Sequence, residues 1–332
     1  MERGVVLEGT GGVWRVRTES GETREASLRG RLKKADMGRR ADGGRMRDTV
    51  RAAAETMKLA VGDEVLLERD GAESGGSALA WAIAEILPRR SQLARREPGG
   101  GHGERVVAAN VDQVVVVFAA AKPEPHPRML DRFLVIAEAN GLDARVVINK
   151  VELVGEDTAR ERFADYARAG YAVHLTSTKA AIGLDELRDA LAGRTSVLTG
   201  PSGVGKSSLL NALYPGLNLR VGEISESVNK GRHTTVGALL HPLPDTGRGV
   251  GYVVDTPGLR EVGMWALPPE HLDECYRELR PFIPECRFGD CTHTVEPDCA
   301  VRAAVEAGRV SAARYDSYLR LREELGEAPK SW

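Results

Sequence analysis

The chain has 332 residues, 42% hydrophobic and 28% charged, with a formal net charge of −2. That length exceeds one compact core and predicts two or three domains of a multidomain α/β protein. No run of about eighteen apolar residues is present, which argues against a membrane span, and Met1–Val6 does not read as a secretory signal. Four cysteines, three of them close together, suit a metal site in a reducing, cytoplasmic setting better than a disulfide framework.

Residues 1–100 read as short strands between glycine-rich turns: Val5–Leu7, Val13–Arg17, Asp63–Glu68 and Ala80–Leu87. Several strands in so short a stretch predict a small barrel, expected to be an OB-fold. Between Arg29 and Arg51 stand nine Lys or Arg against three Asp, a cluster that can neutralise phosphates or can equally be a solvated loop. Pro88–Gly103, rich in Arg, Pro and Gly, reads as a linker.

Beyond it the texture changes to strands alternating with helices. Val111–Ala119 is a near-continuous apolar run, as in a strand buried on both faces. Arg128–Asn140 and Thr158–Ala169 read as helices closed by Gly141 and Gly170. Ala144–Ile148, Ala172–Leu175 and Ser196–Leu198 continue the strands, so a parallel α/β sheet is expected over 101–267. From about Pro268 to residue 332 the chain turns helical, with helices over Ala300–Gly308 and Ser311–Leu325 around a cysteine-rich interruption.

Gly200, Pro201, Ser202, Gly203, Val204, Gly205, Lys206 and Ser207 match G-x-x-x-x-G-K-S between an apolar strand and a helix opening at Ser208. Such a loop lets backbone N–H groups converge on phosphates, with Lys206 reaching the β- and γ-phosphates and Ser207 ligating Mg²⁺. Asp255-Thr256-Pro257-Gly258 follows another apolar stretch; Asp255 can hold Mg²⁺ through water and the Gly258 amide can meet the γ-phosphate. In Gly231–Thr235, either Thr234 or Thr235 can complete the Mg²⁺ shell, and His233 can orient the attacking water or be a surface residue. Leu259 stands where many GTPases have a water-orienting glutamine, so intrinsic hydrolysis is expected to be slow.

Asn149-Lys150-Val151-Glu152 sits after a buried strand and reads as a guanine-reading element ending in Glu instead of Asp. Glu152 keeps two acceptor oxygens for guanine N1 and N2 but adds a methylene. Thr176-Ser177-Thr178-Lys179 supplies the loop expected to close over the base. This base-reading element precedes the phosphate loop, the reverse of the usual order, and that rotation marks a circularly permuted GTPase. Cys286-x4-Cys291-x-His293-x5-Cys299 offers three thiolates and one imidazole, a donor set for one closed, structural Zn²⁺. Cys275 lies outside this spacing and reads as core.

These motifs together resemble the bacterial ribosome small-subunit-dependent GTPase A family over nearly the full chain. The resemblance implies an N-terminal OB-fold, a circularly permuted P-loop GTPase domain and a C-terminal zinc-binding helical domain. It implies a monomeric hydrolase that binds the small ribosomal subunit and its 16S rRNA in late maturation, converting GTP to GDP with ribosome stimulation. Within it His233 corresponds to the switch histidine, and Glu152 departs from the family's Asp. A nucleotide-bound, RNA-binding assembly placeholder with incidental turnover, and a P-loop ATPase or small-molecule kinase, are the competing readings.

Overall fold

The computed structural model describes residues 1–29, 59–69, 80–96, 104–219, 238–255 and 267–327. Strands β1 (Glu2–Thr10), β2 (Val13–Thr18), β3 (Thr23–Leu28), β4 (Glu64–Arg69) and β5 (Trp81–Ile86) close a barrel in the order β1-β2-β3-β5-β4. Only the β3–β5 pair is parallel, which is the strand order of an OB-fold. The Gly11-Gly12 turn joins β1 to β2 with φ of +62° and +86°, a two-residue connection that non-glycine residues adopt poorly. Val16 and Thr18 point inward while Arg15 and Arg17 lie outside, and Val6, Ala26, Val65, Leu67 and Ile83 complete the barrel core. β3, unmarked by an apolar run in the sequence, carries only three buried residues at its end, of which Ala26 and Leu28 enter the barrel core.

The stretch expected to be a linker contains structure: β6 (Gln92–Arg96) pairs antiparallel with β7 (Glu104–Ala109). Buried polar contacts fasten the barrel to the next part of the chain. Asp63 is fully buried and takes Arg89 bidentately at 2.7 and 2.8 Å, while Asn110 donates to the Gly62 carbonyl at 2.9 Å. Leu7 and Val61 also pack into the same apolar cluster as the central sheet.

That sheet has six strands in the order β10-β9-β8-β11-β13-β12: β8 (Gln113–Ala119), β9 (Asp143–Asn149), β10 (Ala172–Leu175), β11 (Thr195–Thr199), β12 (Leu239–Pro242) and β13 (Tyr252–Asp255). All pairs are parallel except β12 on the edge. Every residue of β8 is buried, as its unbroken apolar run requires. Helices α1 (Pro127–Ala139), α2 (Glu156–Arg162), α3 (Ala164–Arg168), α4 (Leu184–Leu191) and α5 (Lys206–Leu213) accompany it. The single helix expected over Thr158–Ala169 is broken at Phe163, whose φ of −108° and ψ of 14° leave the helical region while its ring packs into the core.

After residue 267 come three 3₁₀ turns, Pro269–His271, Asp273–Cys275 and Ile283–Glu285, then α6 (Ala300–Glu306) and α7 (Ala312–Glu327). Their core of Leu272, Tyr276, Leu279, Val301 and Tyr318 includes Val135 from α1, so this part sits on the back of α1. Arg314 seals the contact: it is almost fully buried, bound to Asp131 of α1 and to Glu278, with its guanidinium 4.7 Å from the Tyr276 ring centre. No helix among the described residues is long and apolar enough to cross a membrane.

Candidate nucleotide site and metal centre

The loop after β11 is shaped by two glycines. A Cβ at Gly200, where φ is +133°, would lie 2.0 Å from the Val117 carbonyl oxygen. One at Gly205, where φ is +96°, would lie 2.7 Å from the Asn149 amide nitrogen. Side chains are excluded at both, which leaves backbone N–H groups free to line a phosphate cradle before α5. Lys206 and Ser207 open that helix and are buried; the Lys206 ammonium donates to the Gly200 and Pro201 carbonyls at 2.9 and 2.7 Å.

Two of the base-reading candidates, Asn149 and Lys150, reach this same loop. β8 lies between β9 and β11, and all three run parallel, so Asn149 at the end of β9 reaches the loop that leaves β11. Its side-chain amide donates to the Val204 carbonyl at 2.9 Å, and its side-chain oxygen accepts from the Thr176 hydroxyl at 3.2 Å. Lys150, at φ +62°, donates to the Gly203 carbonyl at 2.6 Å and to the Lys122 carbonyl. Beyond β10, the Ser177 hydroxyl accepts from the Ala180 amide at 2.9 Å and Ser177 bridges to Ile182, with Thr178 half-buried and Lys179 exposed. One carboxylate oxygen of Glu152 is buried with no hydrogen-bond partner among the described residues.

The cysteine cluster also closes. The ligand atoms of Cys286, Cys291, His293 and Cys299 all lie within 4.8 Å of one another. His293 Nδ1 is 3.6 Å from the Cys286 sulfur and 3.4 Å from the Cys299 sulfur, and the two sulfurs are 4.0 Å apart. A tetrahedral zinc with bonds of about 2.3 Å to sulfur and about 2.0–2.1 Å to nitrogen has edges of roughly 3.5–3.8 Å, so the donor set fits that ion. Asp273 fixes the imidazole from behind, with a carboxylate oxygen 3.1 Å from Nε2, leaving Nδ1 to face the sulfurs. Burial opposes the charge on Asp273, but hydrogen bonds from His293 and the Glu274 amide hold its carboxyl below the usual range. Cys275 stays apart, its thiol pushed up to about 12 by burial, as suits a core residue.

The model of the RsgA GTPase family matches residues 86–265, more than half of the 332. A Gemmatimonas aurantiaca protein named small ribosomal subunit biogenesis GTPase RsgA is 58% identical over 97% of both chains. The chain belongs to the RsgA GTPase family. A Vibrio vulnificus relative, small ribosomal subunit biogenesis GTPase RsgA 1, is 41% identical over 81% of this chain and 75% of its own. The crystal structure of YjeQ from Thermotoga maritima matches with a TM-score of 0.75 at 33% identity, covering 98% of this chain and 99% of that one. YloQ, described as a circularly permuted GTPase, matches with a TM-score of 0.70 at 29% identity, over 98% and 96%. The OB-like barrel and the permuted GTPase sheet are thus those of an RsgA family GTPase, a GTP hydrolase.

Of the residues singled out in the sequence, Asn149, Lys150 and Gly200–Ser207 are brought into one contact network, and Cys286, Cys291, His293 and Cys299 into another. Asp255 ends β13, which runs parallel beside β11. His233, Thr234, Thr235, Gly258 and Leu259 lie outside the described residues, as does the basic cluster beyond Arg29. Nothing in the sequence marks Asp273 or Lys122. Asp273 belongs to no motif and stands twenty residues before its partner, and Lys122 contributes only a backbone carbonyl.

Proposed function

We propose that this RsgA family GTPase binds the small ribosomal subunit and its 16S rRNA in late maturation and hydrolyses GTP there. The observation that carries the nucleotide half is the grip of Asn149 and Lys150 on the Val204 and Gly203 carbonyls, which supports reading two distant motifs as one site. In this reading Gly200–Ser208 hold the phosphates, with Lys206 drawn from its own loop carbonyls onto the β- and γ-oxygens. Asn149, Lys150, Glu152 and Ser177–Lys179 take the guanine. Ser207, Asp255 and Thr234 or Thr235 would hold Mg²⁺, which neutralises developing phosphate charge when bound. His233 orients the attacking water, since the residue after Gly258 is Leu259 and cannot hydrogen-bond it.

The ribosomal half is supported by the names of relatives that match at up to 58% identity over nearly the whole chain. Here residues 1–100 form an RNA-binding barrel, 101–267 the GTPase unit and 268–332 a helical unit held by one structural zinc, in a monomer of the bacterial cytoplasm. The deciding experiment measures hydrolysis of GTP and ATP by the wild type and His233→Ala, with and without purified small subunits. Stimulation of GTP turnover by subunits, lost in the variant, is expected. Unstimulated turnover would leave only a nucleotide-bound placeholder.

A further inference from the structure

A cleft of about 510 Å³ opens where the phosphate loop, α1 and α7 meet. Its floor is apolar, formed by Met129 and Phe133 of α1 and Leu321 of α7, and Met129 is 44% exposed there. One wall is Ser202 of the phosphate loop. The rim carries Arg128, Arg132 and Arg320 against a single lining carboxylate among the described residues, Glu324. Glu324 pairs with Arg132, and Asp316, behind the rim, is shared by Arg128 at 3.5 Å and Arg320 at 2.9 Å. Among the described residues, three guanidiniums therefore face two carboxylates, and positive charge is left over at the mouth of an apolar hollow. The size lies within the range of about 300–1,000 Å³ usual for small-molecule sites.

The position gives this cleft leverage on both functional centres. Ser202 adjoins Gly203, whose carbonyl receives Lys150. The opposite wall, α7, turns Tyr315 and Tyr318 onto the carbonyls of His293 and Thr292 in the metal loop, the second at 2.8 Å. An occupant would touch the phosphate loop and the helix that buttresses the metal loop at once.

We infer that this cleft binds a small amphiphilic anion, an apolar body bearing a carboxylate, sulfonate or phosphate, and that its occupancy changes nucleotide affinity. The binding half stands on the cleft alone; the coupling half rests on the nucleotide site proposed above. The probe is 8-anilinonaphthalene-1-sulfonate titrated into the full-length, metal-loaded protein. Saturable binding at one site per chain is expected, weakened about tenfold or more by Met129→Glu and by Arg320→Glu, both at solvent-reachable positions. GDP affinity of the two variants without probe, measured by calorimetry, reports that they are folded and that the nucleotide site is real. Octanoate should displace the probe and octylamine, equal in length and opposite in charge, should not. Saturating octanoate should shift the GDP dissociation constant roughly fivefold or more in the wild type and not in Met129→Glu. Probe binding that ignores both substitutions overturns the site. Equal displacement by octylamine overturns the anionic class, and a GDP affinity indifferent to octanoate overturns the coupling.

Discussion

The Asn149 side-chain amide donates to the Val204 carbonyl across 2.9 Å, although Asn149 precedes Val204 by 55 positions in the chain. Two motifs far apart in the chain thus meet in space, because both sit at the C-terminal ends of parallel strands flanking β8. Asn149→Ala strands the Val204 carbonyl and leaves the buried Thr176 hydroxyl only the Ile148 carbonyl, 3.5 Å away. The loss is expected to be about 1–3 kcal/mol. It should appear in calorimetry as weaker binding of GDP and GTP alike, together with a lower melting temperature. Unchanged affinity would mean that the loop holds its shape without this bond.

Glu152 decides a different quantity. One of its carboxylate oxygens is buried and unpartnered among the described residues, and in the proposed function it accepts from the guanine. Glu152→Gln replaces an acceptor by a donor there. GDP affinity should fall roughly 10- to 100-fold, the worth of about 1.5–3 kcal/mol for hydrogen bonds to a charged group, while weak ATP binding stays where it was. Competition titrations with both nucleotides read the difference. Equal losses for the two would show that Glu152 is structural.

Much of this was legible in the sequence where a local pattern and its tertiary consequence coincide. The glycines at 200 and 205 announce a loop that no side chain can enter, and the apolar run of β8 announces a strand with both faces covered. The spacing of the three cysteines and His293 carries its chemistry in the same local way. What stayed hidden was decided at long range. The β6–β7 pairing lies in a stretch whose Arg, Pro and Gly content reads as linker, and the helix broken at Phe163 has an uninterrupted helical composition. Asp273 and Arg314 look like ordinary surface charges until folding brings their partners to them.

Arg314 is the clearest case. With Asp131 and Glu278 it forms a buried ion triad between α1 and the C-terminal helices, walled by aromatic rings. Desolvation works against its charge, yet the two carboxylates hold it protonated more firmly than a free arginine. Arg314→Met leaves both carboxylates buried and uncompensated, at an expected cost of about 3–5 kcal/mol. Arg132→Ala breaks an exposed pair across the same two helices and should cost no more than about 1 kcal/mol. Urea unfolding of both variants tests the contrast. Comparable midpoints would place the strength of this junction in its apolar contacts.

A pH dependence arises from His174, which is buried at the end of β10 leading into Ser177–Lys179. Burial lowers its pKa from the usual 6.5; Glu186, 3.3 Å from Nδ1, opposes the shift and Arg145 adds to it. A depressed histidine pKa means the unfolded chain takes up the proton first. The folded state is therefore fully favoured above 6.5 and loses stability as pH falls below that value towards the lower folded-state pKa. His174→Gln should reduce the drop in unfolding free energy between neutral pH and about pH 5. An identical drop in wild type and variant would assign the acid sensitivity to other groups.

The metal centre gives the last test, because the residue that orients a ligand can be separated from the ligands themselves. Asp273 reaches His293 from the side away from the sulfurs. Asp273→Asn keeps the size of that side chain and all four donors, but removes the carboxylate that fixes the imidazole. Metal affinity is expected to fall about 10- to 100-fold, the usual effect of losing such a partner. At saturating zinc the variant should still hold one ion per chain by elemental analysis. Cys291→Ala removes a donor outright and should lose the ion at any practical concentration, with a lowered melting temperature because the loops over 286–299 would lose their shared anchor. Chelator competition on the two variants and the wild type gives the order. If Asp273→Asn holds zinc as tightly as the wild type, the His293 ring is oriented by the packing of Tyr318 and the loop backbone alone.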